Sequence, residues 1–516
     1  MKLHKLNQLL GICVLCSVLT SCNDWLDVQP NTDVDREKIF ENESGYADAT
    51  SGIYASMSNN KLYGSNLSWY LLELMGGGAY SFGGINMNYQ KFCFHPNTPY
   101  TYFQTWRNSS TDLIWSGEYN VIANINSMLQ TIDADKDKFA GSDYNVFKGE
   151  ALGLRAFLHF DILRLFSDAY AGSAYSPTKT YMPYVTDLSS DVYPLLTADS
   201  VCEKMLRDLK EASELLKSDP MYTGEEPSKY VCSTVSGNAT YRSEYNIYDW
   251  HNRRFHFNYY AAIATMARIY LWKGDRENAL KCAKEVIDAQ PQKFPWVNPA
   301  LIANTASTSK NNISKDRTFC TEQIFALNVT NLADKIDGYL WEGSVSFATS
   351  TVLMGMNTDY LFDALTRDSD PRYVYLRAAY LSDYSISTKL WQDDDANEQY
   401  FPWAKYRIPL IRVSEMYYIA AECEPDLAKA TEYLEQVRRH RGLTPFPLDC
   451  STKEELQAEI GKEYRKEFVS EGQLFYYKKR MNEDIVNVSR SESFTITPAI
   501  YTMPRPDDED TYGNRN

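Results

Sequence analysis

Six histidines, ten cysteines and 68 Asp and Glu residues are the groups from which this 516-residue chain could build catalysis or a metal site. Their spacing builds neither. His4, His95, His159, His251, His256 and His440 are scattered, with no H-E-x-x-H pair and no H-x-E followed by paired cysteines. There is no G-x-S-x-G elbow and no phosphate loop. Gly76–Gly78 and Gly83–Gly84 lack the preceding strand and following helix that a phosphate cradle needs, so they read as turns. Asp393–Asp395 reads as a solvated acidic turn rather than a calcium loop. Cys93, Cys202, Cys232, Cys282, Cys320, Cys423 and Cys450 are widely spaced, with no C-x-x-C pair, which argues against a disulfide framework and against zinc. Cys202, Cys282 and Cys423 fall in helical patterns and read as small buried apolar residues. The chain is therefore read as a non-enzyme with no cofactor and no metal.

The residues that do stand out are aromatic. The chain carries 39 Tyr, 22 Phe and 10 Trp, 14% in all, and they are unevenly placed. Residues 60–110 hold twelve, among them Trp69, Tyr89 and Tyr100, interleaved with Asn86, Asn88, Gln90 and Asn97. Residues 222–260 hold ten, and Asp337, Tyr339, Trp341 and Glu342 form a later group. Rings in loops beside amides and acids suit a ligand with apolar C–H faces and hydroxyls, as a sugar has. For any single ring, packing its loop onto the core is the better explanation; across the set, two or three are expected to contact ligand. The formal charge of −16 argues against duplex nucleic acid as a ligand, and mildly against a polyanionic one.

The elements that must position these groups are helical. After a leader, described below, Tyr259–Pro291 shows two helical faces. Ala264, Ala267, Tyr270 and Leu271 form the first; Ala279, Ala283, Val286 and Ile287 form the second. Lys273-Gly274-Asp275 separates them and Pro291 is expected to stop the second, a tetratricopeptide-type helix–turn–helix pattern. Further helices are expected over Ile114–Leu129, Asp143–Phe166, Thr197–Leu216 (with Ser200 to Glu203 as a capping box), Leu410–Glu424 and Asp426–Arg438. A short one is expected over Gly461–Gly472, strongly charged on one side through Lys462, Glu463, Arg465, Lys466 and Glu467. His159 reads as a packed histidine, and Arg155, Asp161 and Arg164 as a buried ion-pair network.

Residues 1–21 carry Lys2, Lys5 and an apolar run from Leu9 to Leu19, too short to span a bilayer, closing in Leu19-Thr20-Ser21-Cys22. This resembles a bacterial lipoprotein signal, with Cys22 as the acylated residue. The expected organisation is a leader over 1–21 and one domain over 22–516, with insertions at about 60–110, 167–257 and 291–406.

Several segments, in order along the chain, resemble the SusD/RagB family. They are Cys22–Asp27, Trp115–Leu129, Gly149–Phe157 running on to Arg164-Leu165-Phe166, and Ile411–Tyr417. Val437-Arg438 with Arg441-Gly442-Leu443, Arg465–Phe468 with Glu471-Gly472, and Met503–Pro506 complete the set. The resemblance implies a mainly α fold, a tetratricopeptide-like helix-pair core with a long loop-rich ligand-binding side. It implies an outer-membrane lipoprotein that binds an oligosaccharide and delivers it to a SusC-like TonB-dependent transporter, anchored through its N-terminal lipid. The alternatives are peptide binding within the same family, or a helical scaffold that binds only protein. In the family, stacking rings come from the loops before the Trp115 helix and from the loop after an E-x-I-F segment. Here that segment is Glu322–Phe325, which points to Tyr339 and Trp341.

Overall fold

The computed structural model describes residues 38–82, 110–224, 253–297, 316–340, 353–391, 406–496 and 501–513, less positions 171, 173, 174, 190, 191, 254, 338, 357, 381–383, 484, 490 and 491. The leader, Cys22, Gly83–Gly84 and Asp393–Asp395 lie outside the described residues.

Its frame is a set of helices packed on one another. The long ones are α1 (Glu43–Met57), α2 (Asp112–Ile132), α3 (Asp143–Phe166), α4 (Ala198–Leu215), α5 (Tyr259–Lys273) and α6 (Arg276–Lys293). They continue with α7 (Val413–Cys423), α8 (Leu427–His440), α9 (Lys453–Glu467) and α10 (Gln473–Met481). Neighbours in sequence pack as neighbours in space: α1 on α2, α2 on α3, α3 on α4, α5 on α6, α7 on α8; α5 also packs on α4, and α6 on α7. None of the helices among the described residues is long and apolar enough to cross a membrane.

The α5–α6 pair shows why the sequence turns where it does. Gly274 takes φ 81°, a left-handed conformation that glycine adopts without strain, and closes α5. The Asp275 side chain then accepts from the Asn278 N–H at 3.1 Å and opens α6. Ala264, Ala267, Ala279 and Ala283 are fully buried, so the two backbones approach closely. Pro291 does not stop α6 as expected. It sits in the last turn, which runs on to Lys293, because a proline there removes only one ladder bond.

Helix α3 has the expected ends, Asp143 and Phe166, but is buried on nearly every side rather than on one stripe. Two glycines make room for its neighbours. A Cβ on Gly149 would lie 2.8 Å from Leu216 Cγ, and one on Gly153 would lie 2.1 Å from Phe257 Cε1. Its charges are paired. Arg155 Nε donates to Asp208 Oδ2 at 2.7 Å, and Arg164 pairs with Asp161, whose Oδ2 also accepts from Tyr63 Oη at 2.7 Å. His159 is fully buried between its own helix and the next loop. Its Nδ1 lies 2.8 Å from the Arg155 carbonyl and its Nε2 accepts from the Val185 N–H at 3.0 Å. Burial pushes its pKa down to about 3, so it stays neutral.

Three expected boundaries move. The cap of α4 is Thr197, whose hydroxyl accepts from the Ser200 N–H at 3.3 Å, not Ser200. The helix expected from Leu410 starts at Val413, because Arg407–Arg412 (β2) pairs antiparallel with Gln323–Asn328 (β1), setting Gln323 opposite Arg412 and Leu327 opposite Ile408. The charged helix expected over Gly461–Gly472 begins at Lys453 and ends at Glu467, and Gly472, at φ 71°, opens α10 instead. The segments read as loops also carry small antiparallel pairs, Ala79–Phe82 with Leu353–Met356 and Arg377–Tyr380 with Tyr384–Ser387.

That charged helix is buried rather than solvated on much of its charged side. Glu463 and Glu467 are fully buried and Lys466 nearly so. Glu467 takes Arg441 at 2.7 Å and Arg372 at 2.8 Å, with Arg412 at 2.5 Å. Glu463 takes Arg372 and Arg438, each at 2.8 Å, and Lys466 at 2.6 Å. Lys389 pairs with Glu471, which Arg412 also meets at 3.0 Å. The network ties the 370–389 segment and β1–β2 to α8–α10.

Glu73 and Glu118 in the core have no such ion-pair partner among the described residues. Glu73 is 2% exposed, and its Oε1 lies where a Cβ on Gly78 would need to be, 2.4 Å away. Burial pushes its pKa up to about 8, the N–H groups of Ser470 and Gly472 and the Lys389 charge pulling only partly back. An acid whose folded pKa lies above its unfolded value binds its proton more tightly when folded, so stability falls as pH rises from about 4.5 to 8. Glu73→Gln is expected to be more stable than the natural chain by roughly 1–3 kcal/mol above pH 8, and about equal to it near pH 4. Denaturant unfolding at the two pH values checks this; no gain at pH 9 would contradict it.

Candidate functional site

A cleft of about 520 Å³ opens between the end of α1 and the end of β1. One wall is α1 with the turn that follows it: Ser51, Tyr54, Ser58 and Asn59. The opposite wall is Asn328, the 329–331 turn and Lys335 on the short helix Leu332–Ile336. Phe255, His256 and Arg407 form the floor. The Lys335 ammonium ties the two walls by donating to the Asn60 side-chain oxygen, and the Val329 N–H ties the second wall to the floor strand at the Tyr406 carbonyl, 2.7 Å.

The floor rests on buried charge. The His256 ring lies 4.3 Å from the Tyr54 ring, centroid to centroid, and its Nδ1 is 2.9 Å from Glu150 Oε1. Tyr54 donates to Glu150 and accepts from the Phe257 N–H at 2.8 Å. Arg253 donates to Glu150 Oε2 at 2.5 Å and to Asp219 Oδ2 at 2.8 Å. Burial alone would raise the Glu150 pKa, but Arg253 and then His256 outweigh it and hold the carboxyl below its ordinary value. Arg407 lies 4.0 Å over the Phe255 ring. Asn258 fixes the floor's far end. Its Oδ1 caps α5 at the Ala261 N–H, 3.1 Å, and its Nδ2 donates to the Ile324 carbonyl at 2.9 Å. Aromatic rings and exposed amides thus share a rigidly backed concavity. It can hold a polar ligand with apolar faces.

Of the residues singled out from the sequence, Tyr339 lies three residues past the short helix, partly exposed, with its ring edge-on to Tyr70 at 5.1 Å and to Trp69 at 5.5 Å. Trp69 does not face a ligand. It is 1% exposed, and its Nε1 donates to the Gly64 carbonyl at 2.9 Å, so it serves as packing behind Tyr339. Tyr63 is likewise core. Asn88, Tyr89, Tyr100 and Trp341 lie outside the described residues. The cleft residues Tyr54, Asn59, Asn328, Asn331, Lys335 and Arg407 were not singled out. The one signal leading to them was Glu322–Phe325, since the cleft wall begins at Ala326, the next residue. Cys202, Cys282, Cys320 and Cys423 are buried free thiols, and burial raises the pKa of Cys202, Cys282 and Cys423 to about 12. Among the described residues, no group of three or more His, Cys, Asp or Glu could hold a metal ion.

Comparison with known proteins agrees with this architecture. Residues 24–232 match the SusD-like family described as starch-binding, associating with outer membrane, and residues 381–495 match the SusD family. The SusD-like protein P25 of Formosa agariphila is 21% identical over 486 residues, covering 81% of this chain and 78% of that protein. A SusD superfamily protein from Bacteroides thetaiotaomicron superposes with a TM-score of 0.65 at 19% identity, covering 92% of this chain and 98% of that one. A SusD-like carbohydrate binding protein from Bacteroides vulgatus gives 0.62 at 18% identity, covering 93% and 96%. At such identities the structural likeness establishes the tetratricopeptide-like fold. With matched segments at both ends of the domain and a shared fold between them, the chain belongs to the SusD family, whose members bind carbohydrate and associate with the outer membrane.

Proposed function

We propose that this protein captures an oligosaccharide in the cleft between α1 and β1 and delivers it to a TonB-dependent outer-membrane transporter, performing no chemistry on it. In this reading Cys22 carries the lipid that holds the protein at the outer membrane, facing outward. The observation that carries the reading is the lining of the cleft. Tyr54 and His256 supply rings, and Asn59, Asn328 and Asn331 supply exposed amides that can donate to and accept from hydroxyls. Tyr339 follows the same short helix and extends the ring surface, and Asn88, Tyr89, Tyr100 and Trp341, outside the described residues, are proposed to contact the ligand as well.

The test is calorimetry and affinity electrophoresis against a panel of polysaccharides. Tyr339→Ala and Asn331→Ala are each expected to weaken binding about 3–10-fold, as the loss of one stacked ring or one hydrogen bond does. Binding that neither substitution changes would move the site elsewhere, and a chain that binds no glycan would overturn the reading.

A further inference from the structure

The chain as a whole is acidic, with 68 Asp and Glu against 52 Lys and Arg. The cleft is the reverse. Its described lining includes Lys335, Arg407 and His256 and no carboxylate. Some buried cations of the fold sit on carboxylates, as Lys389 does on Glu471 and Lys466 on Glu463, while Lys479, among the described residues, donates only to the Leu165 carbonyl at 3.1 Å. Lys335, half-buried at the cleft wall, also has a neutral acceptor, the side-chain oxygen of Asn60. Partial burial holds its amine below its ordinary pKa, and the described lining of the cleft offers it no opposite charge. Arg407 adds positive charge from the floor. Glu150, which His256 contacts beneath the floor, is 1% exposed at its side chain and already paired with Arg253.

Low-dielectric walls carrying one sign of charge focus their field on an approaching ion of the other sign, whatever the net charge of the protein. A neutral sugar would leave Lys335 with an amide alone. A carboxylate or sulfate would give it a charge-assisted hydrogen bond, and the amides of Asn59, Asn328 and Asn331 line the same space as donors for the remaining oxygens.

We propose that the ligand is an acidic glycan, with a uronate carboxylate or a sulfate ester seated at Lys335 in the cleft between α1 and β1. This rests on the cleft being the sugar site. The experiment titrates the full-length protein with amylose, polygalacturonate and carrageenan, at low and at raised sodium chloride. One acidic polymer is expected to bind, more weakly in salt, and the arm that responds distinguishes carboxylate from sulfate. Lys335→Gln is expected to cost about tenfold in affinity for that polymer and to flatten the salt dependence, with the melting temperature unchanged. Lys335→Arg is expected to restore most of the binding. Amylose binding as well as or better than either acidic polymer would overturn this proposal and leave the sugar reading standing. Acidic-polymer binding that Lys335→Gln leaves unchanged would overturn it as well. Failure to bind any of the three, or any other glycan, would overturn both.

Discussion

Replacing Arg441 with alanine is expected to destabilise the protein by about 3–5 kcal/mol, the largest effect of any single charge substitution considered. Arg441 is fully buried and makes a bidentate pair with Glu322, at 3.0 and 2.6 Å, while also reaching Glu467 at 2.7 Å. Its guanidinium lies 4.4 Å from the centre of the Phe319 ring. Taking it away leaves two buried carboxylates short of their counter-charge, and that uncompensated desolvation sets the size of the loss. The same network should govern acid denaturation. The arginines and lysines around them outweigh burial and hold the carboxyls of Glu463 and Glu467 below their ordinary value. An acid with a depressed folded pKa contributes stability that is complete above its unfolded pKa and is lost as pH falls below it. The natural chain should therefore lose stability steeply below about pH 4.5, and Arg441→Ala less steeply. Urea unfolding from pH 7 to pH 3 reads both effects. An Arg441→Ala protein with natural stability at pH 7 would show that the network is dispensable.

Gly153→Val is expected to cost about 3 kcal/mol or more, and to weaken ligand binding in whatever fraction remains folded. A Cβ at this position would stand 2.1 Å from Phe257 Cε1 and 2.5 Å from Cδ1. Phe257 cannot swing aside freely. Its ring is fully buried and packs against Phe157 at 6.2 Å and Phe325 at 5.3 Å. Its backbone is also part of the site's support, since its N–H reaches Tyr54 Oη and its carbonyl accepts from Arg253 at 3.0 Å. Displacing it moves the Phe255–Phe257 segment that floors the cleft. Phe257→Leu should partly rescue Gly153→Val, because a smaller side chain frees the space the new methyls need. Thermal unfolding of the single and double variants decides the point. Additive losses in the double variant would mean that the two residues do not contend for the same volume.

These two residues also mark the limit of what the chain reveals when read in one dimension. Gly153 was visible as part of a recognisable segment, and α3 was bounded correctly from Asp143 to Phe166 by its apolar spacing. Helical periodicity is local, so it survives the absence of tertiary information, and the turn at Gly274-Asp275 likewise needs only its own φ and its own cap. Helix α9 shows the opposite case. Glu463, Lys466 and Glu467 look like a solvated charged side because the groups that neutralise them, Arg372, Arg412 and the pair Arg438 and Arg441, come from three separate places in the chain.

The site divides in the same way. Tyr339 could be reached from Glu322–Phe325, and its partial exposure beside Tyr70 agrees with a surface role. Trp69 could not be distinguished from it by residue type, since a ring in a polar turn has the same sequence signature whether it faces outward or packs inward. Its hydrogen bond to Gly64 decides for the interior.

The sequence by itself determined the helical class, the paired helices and the family. Spacing, caps and breakers act over a few residues, and ordered motifs keep their order whatever the fold does. Only the tertiary structure decided which charges are buried, which rings are core and where the cleft lies. Those properties belong to surfaces brought together from positions hundreds of residues apart: Asn59 meets Asn331 across the cleft, and Lys335 meets Asn60. The sign of charge a ligand would meet is set by that local meeting, not by the net −16 of the chain.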